Sequence, residues 1–499
     1  YLTIEARENG LTASLSTNAC EYCVDGDGNW KSLAAGTATE SINSGQTLSF
    51  RALLTPQYST GIGTFTISKK CNIKGNCMSM LFLDYVTDNN SLSGKSSAFN
   101  KLFYNCTNIV NVSNNFLPAT ALSSYCYKDM FRGCTGLTTT PTLPATTLAE
   151  ECYYGMFYGC TGLTTTPTLS ATTLSKYCYG YMFSGCTGLT TAPALPATTL
   201  AQYCYSSMFN RCTGLTTAPT LPATTLATSC YSYMFRDCTA LTTAPALPAT
   251  TLATSCYSGM FYGCTGLTTA PALPATKLAS SCYSSMFYDC TGLTTAPALP
   301  ATTLESSCYS NMFNGCTALT TAPTLPATTL ATYCYNSMFE DCSKLKYIKM
   351  LATNISASNC LKYWVNNVSR TGTFVKNSAM TTLPTGVHGI PEGWTVVNDG
   401  EESGGSSLTF PIKLYEGNNN PNAAEIISYL NNEFGSETTV NHNSHPELFR
   451  DNNFIHINDT YHSNGIYIYN DRIAIHQMYN LNSGTAGDIL SCFLYNDGR

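Results

Sequence analysis

The chain repeats itself with a fixed period of 26 residues, and this limits the folds open to it more than any other feature. The pattern Cys-Tyr-x-x-Met-Phe-x-x-Cys occurs nine times without a slip in spacing, first at Cys126 and last at Cys334. Degenerate copies stand at 102–106 and at Cys360. Such a period is typical of a solenoid or a propeller, and atypical terminal copies are typical of solenoid caps.

The apolar positions of one repeat predict a short helix. Cys126, Met130 and Cys134 fall in one row at helical spacing, and Tyr127 and Phe131 form the adjacent row. These side chains are predicted to be buried. The letters between them change from copy to copy, so the intervening positions are predicted to face solvent.

The segment after this helix predicts a short strand and a return crossover. The Leu-Thr-Thr-Thr run that begins at Leu137 favours a strand, and Pro141 ends it. The fold class is therefore a repeat solenoid, with one strand and one short helix in each 26-residue repeat. The nearly invariant threonines are expected to join neighbouring repeats as a sheet.

The flanking regions differ in character from the repeats. Strand-like runs at 1–6, 48–53 and 63–68 are separated by Gly, Asp and Asn turns. Near the C-terminus, a helix is predicted at 420–434 and a hairpin turn at Asn470-Asp471. Four parts follow: a β-sandwich-like N-terminal domain (1–95), the capped solenoid (96–395), a Gly/Ser linker (396–407) and a small α+β C-terminal domain (408–499).

Composition excludes two classes of partner. The net charge is −6 and no basic stripe is present, which argues against nucleic acid. No run of about 18 apolar residues occurs, which argues against insertion into a membrane. Charged residues make up only 11% of the chain, so the solvent face must consist largely of neutral polar side chains and tyrosine.

Of the 25 cysteines, 19 form two columns in the repeats, one from Cys126 to Cys360 and one from Cys134 to Cys342. On helices spaced about 10 Å apart, neighbouring cysteines would be too distant to bond, which favours buried free thiols. Disulfides between the columns and metal binding are the alternatives. Cys20, Cys23, Cys71 and Cys77 form a separate quartet, for which strand-neighbour thiols or disulfides compete with zinc.

The leucine and proline spacing, together with the run MFxGCTGLTTAPALPATTLA, resembles the BspA-like leucine-rich repeats of gut Bacteroidetes and of tail-associated proteins of their phages. The resemblance covers about residues 96–395. It implies a curved solenoid displayed outside the cell, on a bacterial surface or a phage virion, and used for adhesion or receptor recognition.

The outward positions are the candidate ligand-binding residues, because Tyr, Ser, Asn, Gly and Arg dominate them, as in antibody paratopes. An ordinary solvated face is the alternative. The candidates are Arg132, Tyr158, Tyr181, Tyr233, Arg236, Tyr262, Tyr288 and Asn314.

Five of the six histidines lie after residue 440, and His442 and His445 are weak candidates for a metal site. No nucleophile motif or phosphate loop accompanies them. No cofactor and no catalytic residue are therefore predicted.

We expect a non-enzymatic extracellular recognition or adhesion protein that binds a surface glycan or protein. One alternative is a phage tail-fibre or virion receptor-binding protein, an oligomer when attached to a virion, in which the solenoid is a spacer. The other is a metal-dependent enzyme in the C-terminal domain.

Overall fold

The computed structural model describes residues 1–53, 61–82 and 90–400, together with the backbone of four strands between residues 455 and 495. The chain divides into two compact units, Tyr1–Asp399 and Gly400–Arg499. The first unit contains an N-terminal sheet and all the repeats. The second contains a sheet of its own.

Alternating apolar residues build a six-stranded sheet at the start of the chain. Its strands are β1 (Leu2–Ala6), β3 (Cys20–Val24), β4 (Lys31–Leu33), β5 (Thr47–Arg51), β7 (Cys71–Gly75) and β8 (Ile109–Val112), in the order β4-β3-β5-β1-β7-β8; β2 (Ala13–Leu15) and β6 (Phe65–Ile67) form a separate pair. Buried and partly exposed residues alternate along β1, as expected of a sheet with one solvated face. The strands predicted at 1–6, 48–53 and 63–68 are confirmed as β1, β5 and β6.

The N-terminal sheet continues into the repeats. Strand β8 pairs in parallel with β7, and on its other side the N–H of Thr138 in the first regular repeat donates to the carbonyl of Val110 (3.0 Å). Buried residues of the sheet and of the repeats form one hydrophobic cluster. The boundary predicted near residue 95 stays a prediction, and the structure joins the two sides by backbone hydrogen bonds.

The segment Cys126–Cys134 and its eight equivalents are not helical, so the predicted helix of each repeat is wrong. Alternate N–H groups bond three residues back, as in Met130 to the carbonyl of Tyr127 (3.3 Å). The N–H groups between them bond to the next repeat, as in Phe131 to Met156 (2.9 Å). We call this segment the turn ribbon. Helix in the described residues is limited to α1 (Ser79–Phe82) and a single 3₁₀ turn (Asn114–Phe116).

A four-residue backbone period explains why the turn ribbon imitates a helix in sequence. Backbone φ is positive at Tyr125, Asp129 and Gly133 (62°, 52° and 74°), and the equivalent positions are positive in every regular repeat. Residues four apart therefore share a side, much as they do in a helix of 3.6 residues per turn. The predicted buried face is confirmed, since all five of its apolar side chains in the first ribbon are at most 1% exposed.

Single parallel rungs between threonines replace the predicted strand in the central repeats. Thr191 pairs with Thr217, and the series continues through Thr243, Thr269 and Thr295. A proline lies two residues after each rung and has no N–H to donate, which limits the ladder. Among the described residues, full strands form at the two ends of the repeats. They are β8 at the N-terminal end and, at the C-terminal end, β9 (Tyr347–Met350), β10 (Thr373–Lys376) and β11 (Thr395–Asn398), which pair in parallel.

Two columns of aromatic rings run through the core of the repeats. Tyr127 stacks on Tyr153 with ring centroids 5.8 Å apart, and Phe131 stacks on Phe157 at 5.7 Å; the same contacts recur in the following repeats. Offset stacking at such distances adds about 0.5–1.5 kcal/mol per pair beyond area burial. Both columns end on Trp364, whose indole N–H donates to the carbonyl of Gly389 (2.8 Å).

All 24 cysteines among the described residues are free and buried, which confirms the predicted core thiols. The argument from helices about 10 Å apart is wrong, however. Neighbouring repeats are joined by backbone hydrogen bonds at a β spacing of about 4.8 Å. In the second column each thiol has a hydrogen-bonding role. Cys160 Sγ donates to the carbonyl of Phe131 in the preceding repeat (3.0 Å).

The second unit contains a four-stranded antiparallel sheet. Its strands, in sheet order, are β12 (Ile455–Asn458), β13 (Asn464–Tyr469), β14 (Arg472–Gln477) and β15 (Leu490–Tyr495). Tyr469 pairs with Arg472, which confirms the hairpin predicted around Asn470-Asp471. Strand β15 was not predicted, and the helix predicted at 420–434 lies outside the described residues.

Replacing the buried Tyr231 by Phe should leave the free energy of unfolding unchanged or raise it by about 1 kcal/mol. Its hydroxyl is buried and has no hydrogen-bond partner among the described residues, so removing it removes a desolvated polar group. Tyr231→Leu, which loses the stacked ring, should lower the free energy of unfolding by about 1–3 kcal/mol. Urea unfolding of both variants provides the measurement. A substantial loss of stability in Tyr231→Phe would show that the hydroxyl is hydrogen-bonded.

The thiols should react slowly with an aromatic disulfide reagent at pH 8. Burial raises the pKa of Cys160 and of Cys212 to about 12, and the thiolate is the reactive form. After unfolding in guanidinium without a reductant, all 25 cysteines should titrate. A lower count in the unfolded chain would reveal disulfides, and rapid reaction of the folded chain would contradict the closed core.

Candidate ligand-binding surface

The turn ribbons of successive repeats form one surface, which we call the turn face. The outward side chains fall into columns whose members are 26 residues apart. We name each column by its residue in the first regular repeat: column 125 begins at Tyr125, column 129 at Asp129, column 132 at Arg132 and column 133 at Gly133. The residue type changes along every column, so the chemistry of the turn face varies from repeat to repeat.

The first candidate residues meet in a cluster near the N-terminal end of the repeats. The Arg132 guanidinium lies 4.1 Å from the centroid of the Tyr158 ring, and its Nη1 lies 3.3 Å from Asp129 Oδ1. The rings of Tyr158 and Tyr181 are 6.5 Å apart, and Tyr154 lies 5.5 Å from Tyr181. The structure therefore brings Arg132, Tyr158 and Tyr181 together.

Sequence analysis missed the other tyrosines of this cluster, including Tyr154 and a stacked pair in column 125. Tyr177 and Tyr203 stack face to face, with centroids 4.5 Å apart and planes within 1° of parallel. Lys128 lies 4.7 Å from the Tyr154 ring and 2.6 Å from Glu151 Oε2. The signal available in the sequence was a pair of tyrosines one period apart. Sequence analysis overlooked it because the predicted helix did not single out column 125 as an outward position.

The remaining aromatic candidates form a second cluster. The Arg236 guanidinium lies 5.7 Å from the Tyr233 ring and 4.7 Å from the Tyr262 ring. Tyr262 stacks on Tyr288 with centroids 4.5 Å apart and planes within 5°. Asp237 Oδ2 lies 3.5 Å from Arg236 Nε. One cation and two stacked rings thus form a continuous row along column 132.

Asn314 differs from the other candidates because it is buried, with 5% of its surface exposed. Its Nδ2 donates to Glu340 Oε2 (3.2 Å), so it contributes the floor of the surface rather than an exposed group. The backbone N–H of Asp289 donates to its carbonyl (2.7 Å), so a second acidic residue lies beside it. Burial, followed by the charges of Asp341 and Asp237, raises the pKa of Asp289 above its usual range.

Two rings on the turn face, Tyr154 and Tyr233, lean onto glycines of the following repeat. A Cβ atom added to Gly259 would overlap the Tyr233 ring, and one added to Gly180 would come within 3.1 Å of Tyr154 Cδ2. Gly259 also has a positive φ of 59°. Each such ring is therefore held in place by the repeat after its own, which reduces the conformational entropy lost when it binds a ligand.

No group of three or more His, Cys, Asp or Glu residues that would suit a metal ion occurs in the described parts of the chain. The quartet Cys20, Cys23, Cys71 and Cys77 is accordingly not assembled into a site. His442 and His445 lie outside the described residues. No helix among the described residues is long and apolar enough to cross a membrane.

Gly259→Ala should lower the free energy of unfolding by about 2 kcal/mol in the natural chain and by about 1 kcal/mol in a Tyr233→Ser background. The smaller cost is that of a positive φ for alanine, and the difference is the displacement of the ring. A double-mutant cycle by urea unfolding measures both. Equal costs in the two backgrounds would show that Tyr233 does not rest on Gly259.

Comparison with known proteins identifies the repeats. The family described as BspA type leucine rich repeat region (6 copies) matches residues 96–242, 150–294 and 228–368, which together span more than half of the chain. No curated protein and no solved structure matches. Proteins with such repeats are typically at the cell surface or secreted, and the repeats suggest a role in protein–protein interaction or adhesion. The chain belongs to the family of proteins with BspA type leucine-rich repeats.

Proposed function

We propose that this chain is a non-enzymatic recognition or adhesion protein that works outside the cell and binds a surface protein or glycan through the turn face. The repeat family supports an interaction role. The proposal adds where on the repeats the partner binds and what chemistry it meets.

The observation that carries the proposal is a contrast between two solvent-exposed sides of the same repeats. On one side, exposed threonines such as Thr190 and Thr191 recur almost unchanged in each copy. On the turn face, column 132 holds Asn210, Arg236 and Tyr262, all partly exposed, in three successive repeats. If the need to fold were the only constraint on residue type, both sides would be equally uniform from repeat to repeat. We therefore assign the specific contacts to the side whose residues vary.

The side chains on the turn face suit recognition. Tyrosine supplies a large, rigid contact area with little entropy to lose, while Ser, Gly and Asn adapt their hydrogen bonds. The stacked pairs Tyr177–Tyr203 and Tyr262–Tyr288 are already ordered by contacts between repeats. A partner therefore meets a surface that needs little rearrangement.

A second arrangement is supported by the division of the chain into two compact units. In that arrangement the repeats are a spacer, and the unit Gly400–Arg499, with its own four-stranded sheet, binds the receptor. A phage tail fibre or another virion receptor-binding protein would have this organisation, with several copies on one particle.

Binding of the full chain to a glycan array and to whole gut bacteria tests the proposal. A turn-face variant replaces four tyrosines by serine, which other repeats carry in the same columns at Ser184 and Ser207. We expect this variant to fold normally and to bind at least tenfold more weakly, because the ring contacts are lost. Its substitutions are Tyr158→Ser, Tyr181→Ser, Tyr233→Ser and Tyr262→Ser.

The matched control changes the opposite side of the same repeats. Thr191→Ser, Thr217→Ser and Thr243→Ser shorten exposed side chains there and should leave binding unchanged. Full binding by the turn-face variant would overturn the proposal in favour of the spacer arrangement. Equal loss in both variants would point to a change in the repeats as a whole.

A further inference from the structure

We propose that the outer face of the Tyr288 ring, together with the carboxylates beside it, binds an arginine side chain of a protein partner. This inference rests on the proposed function, because it assigns a partner chemistry to one part of the turn face. It depends on three features of the second cluster in the described residues: an aromatic ring with one face that no other ring or cation covers, a slot beside that face and carboxylates that form no ion pair.

The Tyr288 ring is the last member of the row formed by Arg236, Tyr262 and Tyr288. Arg236 covers one face of Tyr262, and Tyr288 stacks on the other. Among the described residues, no second ring or cation lies against Tyr288. Because the row follows the repeat direction, the remaining face of Tyr288 looks toward the next position of column 132.

At the next position of column 132, no large side chain projects from the turn face. That position holds Asn314, which is buried, and Gly315 follows without a side chain. The following residue of column 132 is Glu340, two repeats after Tyr288, and it is partly exposed. At a β spacing of about 4.8 Å per repeat, the backbone positions of Tyr288 and Glu340 are about 10 Å apart. A planar cation stacked on the ring would fit between them and reach the carboxylate.

Three carboxylates border this slot, from Asp289, Glu340 and Asp341. In the described parts of the chain none of them forms an ion pair, whereas neutral amides hold two of them in place. Asn366 Nδ2 donates to Glu340 Oε1 (2.9 Å), and Asn367 Nδ2 donates to Asp341 Oδ1 (2.8 Å). The carboxylates are therefore positioned, and their charge is left for a partner.

Column 133 keeps the carboxylates close to the slot. The N–H of Asp289 donates to the carbonyl of Asn314 (2.7 Å), so the aspartate lies directly beside the floor. Its carboxylate rests over Gly315, where any side chain would overlap it. The raised pKa of Asp289 agrees with the geometry, since burial and neighbouring acids cause it and no cation offsets them.

The chain's own arginines show which chemistry fits such a place. Arg132 lies over Tyr158 beside Asp129, and Arg236 lies over Tyr262 beside Asp237. In both cases a guanidinium stacks on a tyrosine and faces an aspartate. The slot at Tyr288 offers the same ring and carboxylates without the guanidinium. Arginine suits it better than lysine, because a planar group stacks on the ring and still donates in its own plane.

Calorimetric titration of the full chain at low salt with a tetra-arginine peptide tests the inference. The same peptide with citrulline at each position has nearly the same shape without charge, and it should bind at least tenfold more weakly. Tyr288→Leu should weaken binding of the arginine peptide by about three- to thirtyfold, because the cation–π contact is lost. Tyr288→Phe keeps the ring face and should bind like the natural chain.

Two further variants separate this site from general attraction to an acidic protein. Asp289→Asn with Asp341→Asn should weaken binding at least fivefold, and thermal unfolding checks that the repeats remain intact. Tyr104→Leu alters a ring outside the candidate residues, which Lys101 already approaches at 5.5 Å from the centroid, and should leave the affinity unchanged. Equal affinity of Tyr288→Leu and the natural chain, or an equal loss in the Phe and Leu variants, would overturn the inference.

The outcomes also separate this inference from the proposed function. Peptide binding that depends on Tyr288, without binding to cells or glycans, would leave the arginine site standing and remove the adhesion role. Cell binding that depends on the turn face but not on Tyr288 would do the reverse.

Discussion

Lateral hydrogen bonds from the turn ribbons are the constraint on which the rest of the first unit depends. Every second N–H of a ribbon bonds to the next repeat, so backbone hydrogen bonding, rather than side-chain size, sets the spacing between repeats. At this spacing, identical rings stack and each Cys160-type thiol reaches the carbonyl of the preceding repeat. An α-helix satisfies its own N–H groups and would provide none of this.

The sequence predicted the inside of the repeats better than their backbone. Nine copies with identical core residues indicated that those positions share one environment, and Cys126, Met130 and Phe131 are indeed buried. The backbone was misassigned because a turn ribbon with a left-handed residue every four positions and an α-helix place nearly the same residues on one side. Hydrophobic periodicity alone cannot separate a period of 4 from one of 3.6. The hairpin in the second unit was predictable, because a two-residue Asn-Asp turn acts locally.

Membership of the turn face could be predicted, whereas its geometry could not. The varying letters identified Arg132, Tyr262 and Tyr288 as outward. Which of them touch depends on the distance between repeats, and a helix at about 10 Å would have kept the rings apart. The burial of Asn314 depended in turn on its contact with Glu340 in the next repeat. For the cysteines, the prediction of buried free thiols is confirmed, although the helix spacing from which it was argued is wrong.

The rings that lean onto glycines have a consequence for how such an array can change over generations. Repetitive coding sequence gains, loses and exchanges units by unequal recombination. The repeat that carries Tyr233 needs the repeat that carries Gly259 after it, because the ring occupies the space above that glycine. Moving such a unit alone could place its ring against a side chain at the position that Gly259 now occupies. Exchanges that survive are therefore expected to carry neighbouring units together, and a binding feature is inherited as a pair of repeats.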